Sequence, residues 1–327
     1  MRAQALLRRL APLAAVFAFT ACASPIGTGW RSYERGDFDA ALQSWLPQAE
    51  AGDADAQFFV AVMYDEGTGV AEDDFEAVRW YRAAAEQEHA LAQNNLGLCY
   101  YRGEGVPVSR ASAVSWYQRA ADQGLADAQR NLGVALLMGQ GARRDLPRAR
   151  ELFRRAARQD DAVAMRLLGQ VHEEGLGLDR DADEAVRWYE RAARAGDGAA
   201  AFKLGLILAR GEGVDVDRAR GVRWLAEASE RGLSPAGVAL ALLHLDGVST
   251  PLDDESAAEL LAAGAAEGDA VAQYNLAVMY AQGRGVERDR DEAARRLRLA
   301  AEQGVGAAEQ KLAMLDAAAL GDGLAAR

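Results

Sequence analysis

Small and apolar residues recur along this chain in two alternating helical patterns. In the first, Ala92, Leu96, Cys99 and Tyr100 take the i, i+4, i+7, i+8 spacing of one helix face, and Ala272, Leu276, Met279 and Tyr280 repeat it. The second carries paired bulky residues, Trp80-Tyr81, Trp116-Tyr117, Leu152-Phe153, Trp188-Tyr189 and Trp224-Leu225, each followed four residues later by small ones such as Ala84-Ala85. Large residues facing small ones at a regular pitch are what close helix packing requires, and they make Trp116 and Trp188 candidates for buried rings.

The alternation has a fixed length. Gly67, Gly103, Gly139, Gly175, Gly211, Gly247 and Gly283 stand 36 residues apart without an insertion, and in six of the seven a second glycine follows two residues later, Ser249 replacing it in the sixth. The first glycine suits a left-handed helix stop. A polar loop then reaches Asp73, Ser109, Asp145, Asp181, Asp217, Asp253 and Asp289, each a good N-cap for a second helix, with Glu76, Glu184 and Glu292 placed to complete a capping box. Gly124, Gly196, Gly232, Gly268 and Gly304 sit where a left-handed turn ends that second helix. We name the two helices A and B.

Seven A-loop-B units therefore occupy 53–304. An N-terminal partial repeat at 30–52 matches helix B from Phe38, with Trp45 in register with Tyr81 and a shortened helix near Trp30 to Arg35. A capping helix at 305–320 repeats helix A, and 321–327 form a tail.

Before the repeats, Arg2, Arg8 and Arg9 precede the apolar run Leu10 to Ala21, which is too short to span a bilayer. Residues 1–21 are read as an export signal and 22–29 as a linker. Phe19-Thr20-Ala21-Cys22 resembles the bacterial lipobox, which implies lipidation at Cys22 and, with Ala23 rather than Asp next, the outer membrane facing the periplasm. Ordinary cleavage after Ala21-Cys22-Ala23 is the alternative. Removing 1–21 takes away three arginines and no acid, so the net charge moves from −12 to −15, which disfavours nucleic acid and anionic headgroups and leaves membrane contact to a lipid anchor. With Cys22 lipidated or removed, Cys99 has no disulfide partner and falls on the buried stripe of helix A.

The motif residues quoted, Ala-x-x-x-Leu-Gly-x-x-Tyr, Gly-x-Gly-Val, Asp, and Trp-Tyr-x-x-Ala-Ala, resemble the Sel-one-like repeat (SLR) family, relatives of the tetratricopeptide repeat. The resemblance covers most of the chain. It implies an all-α, right-handed α-solenoid of helix-turn-helix repeats, with helix A on the concave side, helix B on the convex side, and a protein partner of the cell envelope as the ligand.

No catalytic constellation, metal-ligand spacing or cofactor motif is present: His89, His172 and His244 lie far apart, and the glycine pairs lack the strand and Lys-Ser/Thr of a phosphate loop. His172 and His244 take the register of Tyr64, Tyr100 and Tyr280, a packing or solvent-edge position, and no role is assigned to His89. Some relatives with a disulfide in every repeat bind or hydrolyse β-lactams; this chain lacks those cysteines. Two binding readings stay open, an envelope scaffold and a secreted or surface factor that binds a host protein.

For the binding face, the positions two before and two after the helix A leucine are expected to point away from the core. Two before, they run Phe58, Asn94, Arg130, Arg166, Phe202, Val238 and Tyr274, with Tyr101, Leu137, Glu173 and Leu245 near the helix ends. Of these, Phe58, Asn94, Tyr101, Arg130, Arg166, Phe202 and Tyr274 are the candidate partner contacts, since exposed aromatics and arginines dominate binding energy. The alternative for the apolar ones is packing between neighbouring helices.

Overall fold

The computed structural model describes residues 24–248 and 250–325, so the signal segment and Cys22 lie outside the described residues, as does Ser249. The described residues form seventeen helices and no strand. The entry pair is α1 (Pro25–Glu34) and α2 (Phe38–Glu50). The A helices are α3 (Ala54–Glu66), α5 (Ala90–Arg102), α7 (Ala126–Met138), α9 (Ala162–Glu174), α11 (Gly198–Arg210), α13 (Ser234–Leu245) and α15 (Ala270–Gln282). The B helices are α4 (Asp74–Glu86), α6 (Arg110–Asp122), α8 (Leu146–Ala157), α10 (Ala182–Arg194), α12 (Arg218–Glu230), α14 (Asp254–Ala266) and α16 (Arg290–Glu302), and α17 (Gly306–Ala325) follows. Helix α1 starts within the expected linker, because Ser24 caps it by accepting from Gly27 N at 3.1 Å and Pro25 suits its first turn. The chain divides into two compact units, Met1–Ala164 and Met165–Arg327.

All seven B-helix caps form: each Asp or Ser side chain accepts from a backbone amide two or three residues on. The expected return half of the capping box does not. The amides of Asp73, Asp181 and Asp289 donate instead to Tyr64, His172 and Tyr280 oxygens at the end of helix A. With those amides taken by the returning loop, Glu76, Glu184 and Glu292 turn to arginines on their own helices.

Where a loop has both glycines, they do different jobs. The first is the left-handed stop, as at Gly103 with φ 84°. The second lets the loop touch the previous B helix: a Cβ on Gly105 would lie 2.1 Å from Asp74 O. The turns after the B helices take positive φ even where no glycine is present, at Glu88 (64°) and Asp160 (60°).

In the first unit the core starts with an aromatic cluster. Trp45 stacks on Phe59 at 4.7 Å, Tyr33 meets Trp45 at 5.7 Å, and Trp45 Nε1 donates to Ile26 O at 3.1 Å. Further along, the tyrosine of each Trp-Tyr pair forms the core. Tyr117 is buried against Gly97, and Tyr189 is buried in the second unit, while Trp116 and Trp188 are only half-buried, with Arg119 and Arg191 each 4.5 Å from the ring centroid. This corrects the expectation for the tryptophans. Consecutive positions on a helix are 100° apart, so the second member of each pair faces helix A most directly, although Trp80 and Leu152 are buried as well. In the second unit the core gathers around Leu261, Leu276 and Met279, with a further cluster at Ala277, Leu297 and Ala300.

A row of buried glutamines links successive helices. Gln57, Gln93 and Gln129 donate to Ala49, Ala85 and Ala121 oxygens, and accept from Gln87, Gln123 and Gln159. Gln273 does the same with Ala265 and Gln303 in the second unit. Each buried amide is thus satisfied on both sides.

Candidate protein-binding face

Helix A is flanked by the B helix of its own repeat and by the B helix of the preceding one, so its buried sector is wide. The position two before the leucine falls inside that sector. Phe58 and Asn94 are 2% and 5% exposed, which corrects the expectation that they project to solvent, and Val238 is also buried. Four of these residues, Phe58, Arg130, Arg166 and Tyr274, meet the N-cap of the next A helix, 31 residues on. Phe58 stacks on His89 at 4.7 Å. Arg130 bonds Asp161, and Arg166 bonds Asp197 at 2.9 Å. Tyr274 packs in the cluster containing Val305. Phe202 is half-buried, as is Tyr101, whose hydroxyl donates to Gln140 Oε1 at 2.7 Å beneath Arg110.

His89 therefore has a role that the sequence reading left blank. Its Nδ1 accepts from Ala92 N at 3.1 Å, capping α5, and its Nε2 lies 3.2 Å from Asp55. The signal was available: residues 53, 89, 161, 197 and 269 share one register and read Asp, His, Asp, Asp, Asp.

One position nearer the leucine, Asn95, Asn131, Leu167 and Asn275 are half-buried and Lys203 is exposed, whereas Phe59 in the same register is buried. In the first unit, α3, α5 and α7 frame a cleft of about 250 Å³ that brings together Phe58, Asn94 and Arg130 of the expected set. The residues missed by sequence reasoning there are Asp65, Glu66, Asn95, Arg102, Glu104 and Asn131. A hydrogen-bonded row crosses it. Tyr81 Oη donates to Asp65 at 2.9 Å, Asn95 Nδ2 to Tyr81 Oη at 3.1 Å, Asn94 Nδ2 to Asn95 at 3.4 Å, and Asn131 Nδ2 to Asn94 at 2.9 Å.

Burial raises the Asp65 carboxyl above its usual range, against the lowering effect of the Tyr81 hydrogen bond. It also pushes Cys99, on the cleft's inner side, up to about 12, so the thiol is a small core residue. In the second unit Tyr189 Oη donates to Glu173 at 2.5 Å and Lys203 reaches the same carboxylate at 3.1 Å. His172 is buried. His244 contacts Thr250 at 3.0 Å and Asp254 at 2.9 Å, and Arg284 also holds Asp254. The Asp254 carboxyl is lowered by the Arg284 bond first and the His244 contact second, the signature of a loop clamp. Among the described residues no group of three acids, histidines or cysteines could hold a metal, and no helix is long and apolar enough to cross a membrane.

The family model described as Sel1 repeat matches residues 54–89, 90–125, 126–161, 162–197, 198–233, 236–269 and 270–305. Among solved structures, the chain resembles a protective antigen present in uropathogenic Escherichia coli strains and displaying an SLR fold, at 31% identity and TM-score 0.74 over 88% of this chain and 62% of that one. It also resembles a Sel1 repeat protein from Oxalobacter formigenes, at 32% identity and TM-score 0.67 over 86% of this chain and 81% of that one. A curated relative, an exopolysaccharide production negative regulator of Rhizobium leguminosarum bv. viciae, is 36% identical over 59 residues, which are 18% of this chain and 22% of that protein. The chain therefore matches about a fifth of that relative and less than two thirds of the antigen's chain. The fold is the all-α solenoid of helix-turn-helix repeats seen in these SLR structures.

Proposed function

Because the chain belongs to the Sel1 repeat family, a non-catalytic scaffold family whose repeats mediate protein–protein contacts, we propose that it is a protein-binding scaffold of the bacterial cell envelope. Export by residues 1–21 and lipidation at Cys22 would hold it at the outer membrane, facing the periplasm; the apolar run, the Ala21-Cys22 junction and the absence of another membrane-crossing helix among the described residues support this. The observation that carries the binding reading is the cleft on α3, α5 and α7, where polar side chains with spare hydrogen-bonding capacity line a surface that the repeat packing leaves open. A concave helix A array as the docking face is the family's implication and part of this proposal.

In-cell crosslinking followed by mass spectrometry of the captured protein tests it. Capture that is lost when Asn95 and Asn131 are replaced by bulky residues, with helicity intact, supports a helix A docking face; capture that depends only on helix B residues overturns it. The similarity to a protective antigen favours a second reading, a surface factor that binds a host protein. Protease treatment of intact cells separates the two, because a periplasm-facing scaffold is protected and a surface factor is cut.

A further inference from the structure

We infer that the cleft on α3, α5 and α7 takes an extended segment of the partner protein and seats a lysine or arginine side chain of that segment against Asp65. This rests on the scaffold reading above and specifies the chemistry of its ligand.

The size of the cleft comes first. About 250 Å³ is smaller than the usual small-molecule site, roughly 300–1,000 Å³, and suits one side chain with its flanking backbone. The amide row supplies the backbone partners. A primary amide has two donor hydrogens and a carbonyl with two lone pairs. Asn95 and Asn131 each commit one hydrogen within the row, and both are accessible, so each keeps a donor beside an acceptor. That pairing is the complement of a peptide group.

Charge selects the side chain. The cationic groups on the cleft are already engaged: Arg130 by Asp127 and Asp161, and Arg102 by Glu104 at 3.5 Å, while the weak pull of Arg102 on Asp65 is opposed by Glu104 and Asp74. Asp65 is held by a neutral phenol and is partly desolvated, so a cation arriving there replaces lost water with a charge-assisted hydrogen bond. Leu91 and Leu98, both half-buried, supply an apolar wall for the methylene stem of such a side chain. The chain's net charge of −12 also draws basic segments towards it.

The test uses the full chain and fluorescein-labelled Gly-Ser peptides that differ only in a central Arg, Lys, Leu or Glu, followed by fluorescence anisotropy at low salt. The Arg and Lys peptides are expected to bind at least about tenfold more tightly than the Leu and Glu peptides. Asp65→Asn should weaken the Arg peptide by about the same factor while leaving the thermal melt of the protein unchanged or raised. Equal binding of the four peptides, wild-type binding by the Asp65 variant, or no saturable binding of any peptide at millimolar concentration overturns the inference. Each of those results leaves the scaffold reading intact if crosslinked capture still requires Asn95 and Asn131; loss of that requirement removes both.

Discussion

Gln123 Nε2 donates to Gln93 Oε1 at 2.8 Å, while Gln93 Nε2 donates to Ala85 O at 3.0 Å. One buried amide therefore joins two successive B helices through the A helix between them. Removing it leaves a buried carbonyl and a C-cap glutamine without their partners. Gln93→Ala should destabilise the protein by about 1–3 kcal/mol, and the double variant with Gln123→Ala should cost less than the sum of the single ones. Urea unfolding followed by circular dichroism measures both, and strict additivity would mean that the pair does not act as a unit.

This pairing was written in the sequence. At positions 30 residues apart, Gln57 goes with Gln87, Gln93 with Gln123, Gln129 with Gln159 and Gln273 with Gln303, whereas the registers at Met165 and Ala201 lack both members. The helices, their caps and the left-handed stops were legible because each is set by local chemistry repeated seven times. The face of helix A was not. Hydrophobic periodicity finds the side that meets helix B, but a helix stacked between two others is also buried laterally, and that burial is specified 31 residues away, as in Phe58 with His89 or Arg166 with Asp197. The lateral pairing hid Asn95 and Asn131 as the accessible positions.

Asp160 holds a positive φ of 60° at a position that is glycine in five of the other six repeats and, as Gly52, in the partial repeat. A non-glycine residue there carries backbone strain, so Asp160→Gly should stabilise by up to about 1 kcal/mol after its own entropy cost. Gly105→Ala is the converse, since its Cβ would lie 2.1 Å from the Asp74 carbonyl at a positive φ, and should cost about 1–3 kcal/mol or more. Thermal melts of the two variants should move in opposite directions.

The Trp-Tyr pair gives a ranking. Tyr117→Ala removes a fully packed ring and should cost about 3–5 kcal/mol, while Trp116→Ala removes a half-buried one and should cost clearly less. Equal destabilisation would show that the tryptophan carries more of the core than its exposure implies.

Asp65 predicts a sign for pH dependence. Its folded-state pKa is raised by burial, so the fold favours the protonated acid, and stability falls as pH climbs from the unfolded to the folded value. Asp65→Asn keeps an acceptor for Tyr81 and removes that loss. The variant should match or exceed wild type at neutral pH, and the difference should shrink as pH drops below the ordinary carboxylate range. A variant less stable at neutral pH would contradict the assigned cause.

Excision of one repeat should depend on where the cut falls. Deleting 198–233 or 180–215 removes the same 36 residues' length and leaves every loop at its native size. The first keeps Arg166 with Asp197, which then caps the helix beginning at Ser234. The second replaces Asp197 by Leu233 at the end of the Arg166 side chain, leaving a guanidinium that is only 30% exposed without its carboxylate. Because a repeat array is held by nearest-neighbour interfaces, the shortened chain should fold in both cases, but the 180–215 deletion should be less stable. Comparing urea midpoints with matched slopes measures the difference, and Arg166→Leu should restore the second deletion towards the first. If the two deletions unfold at the same midpoint, the arginine joint is dispensable and the lateral pairing contributes nothing there to holding successive repeats together.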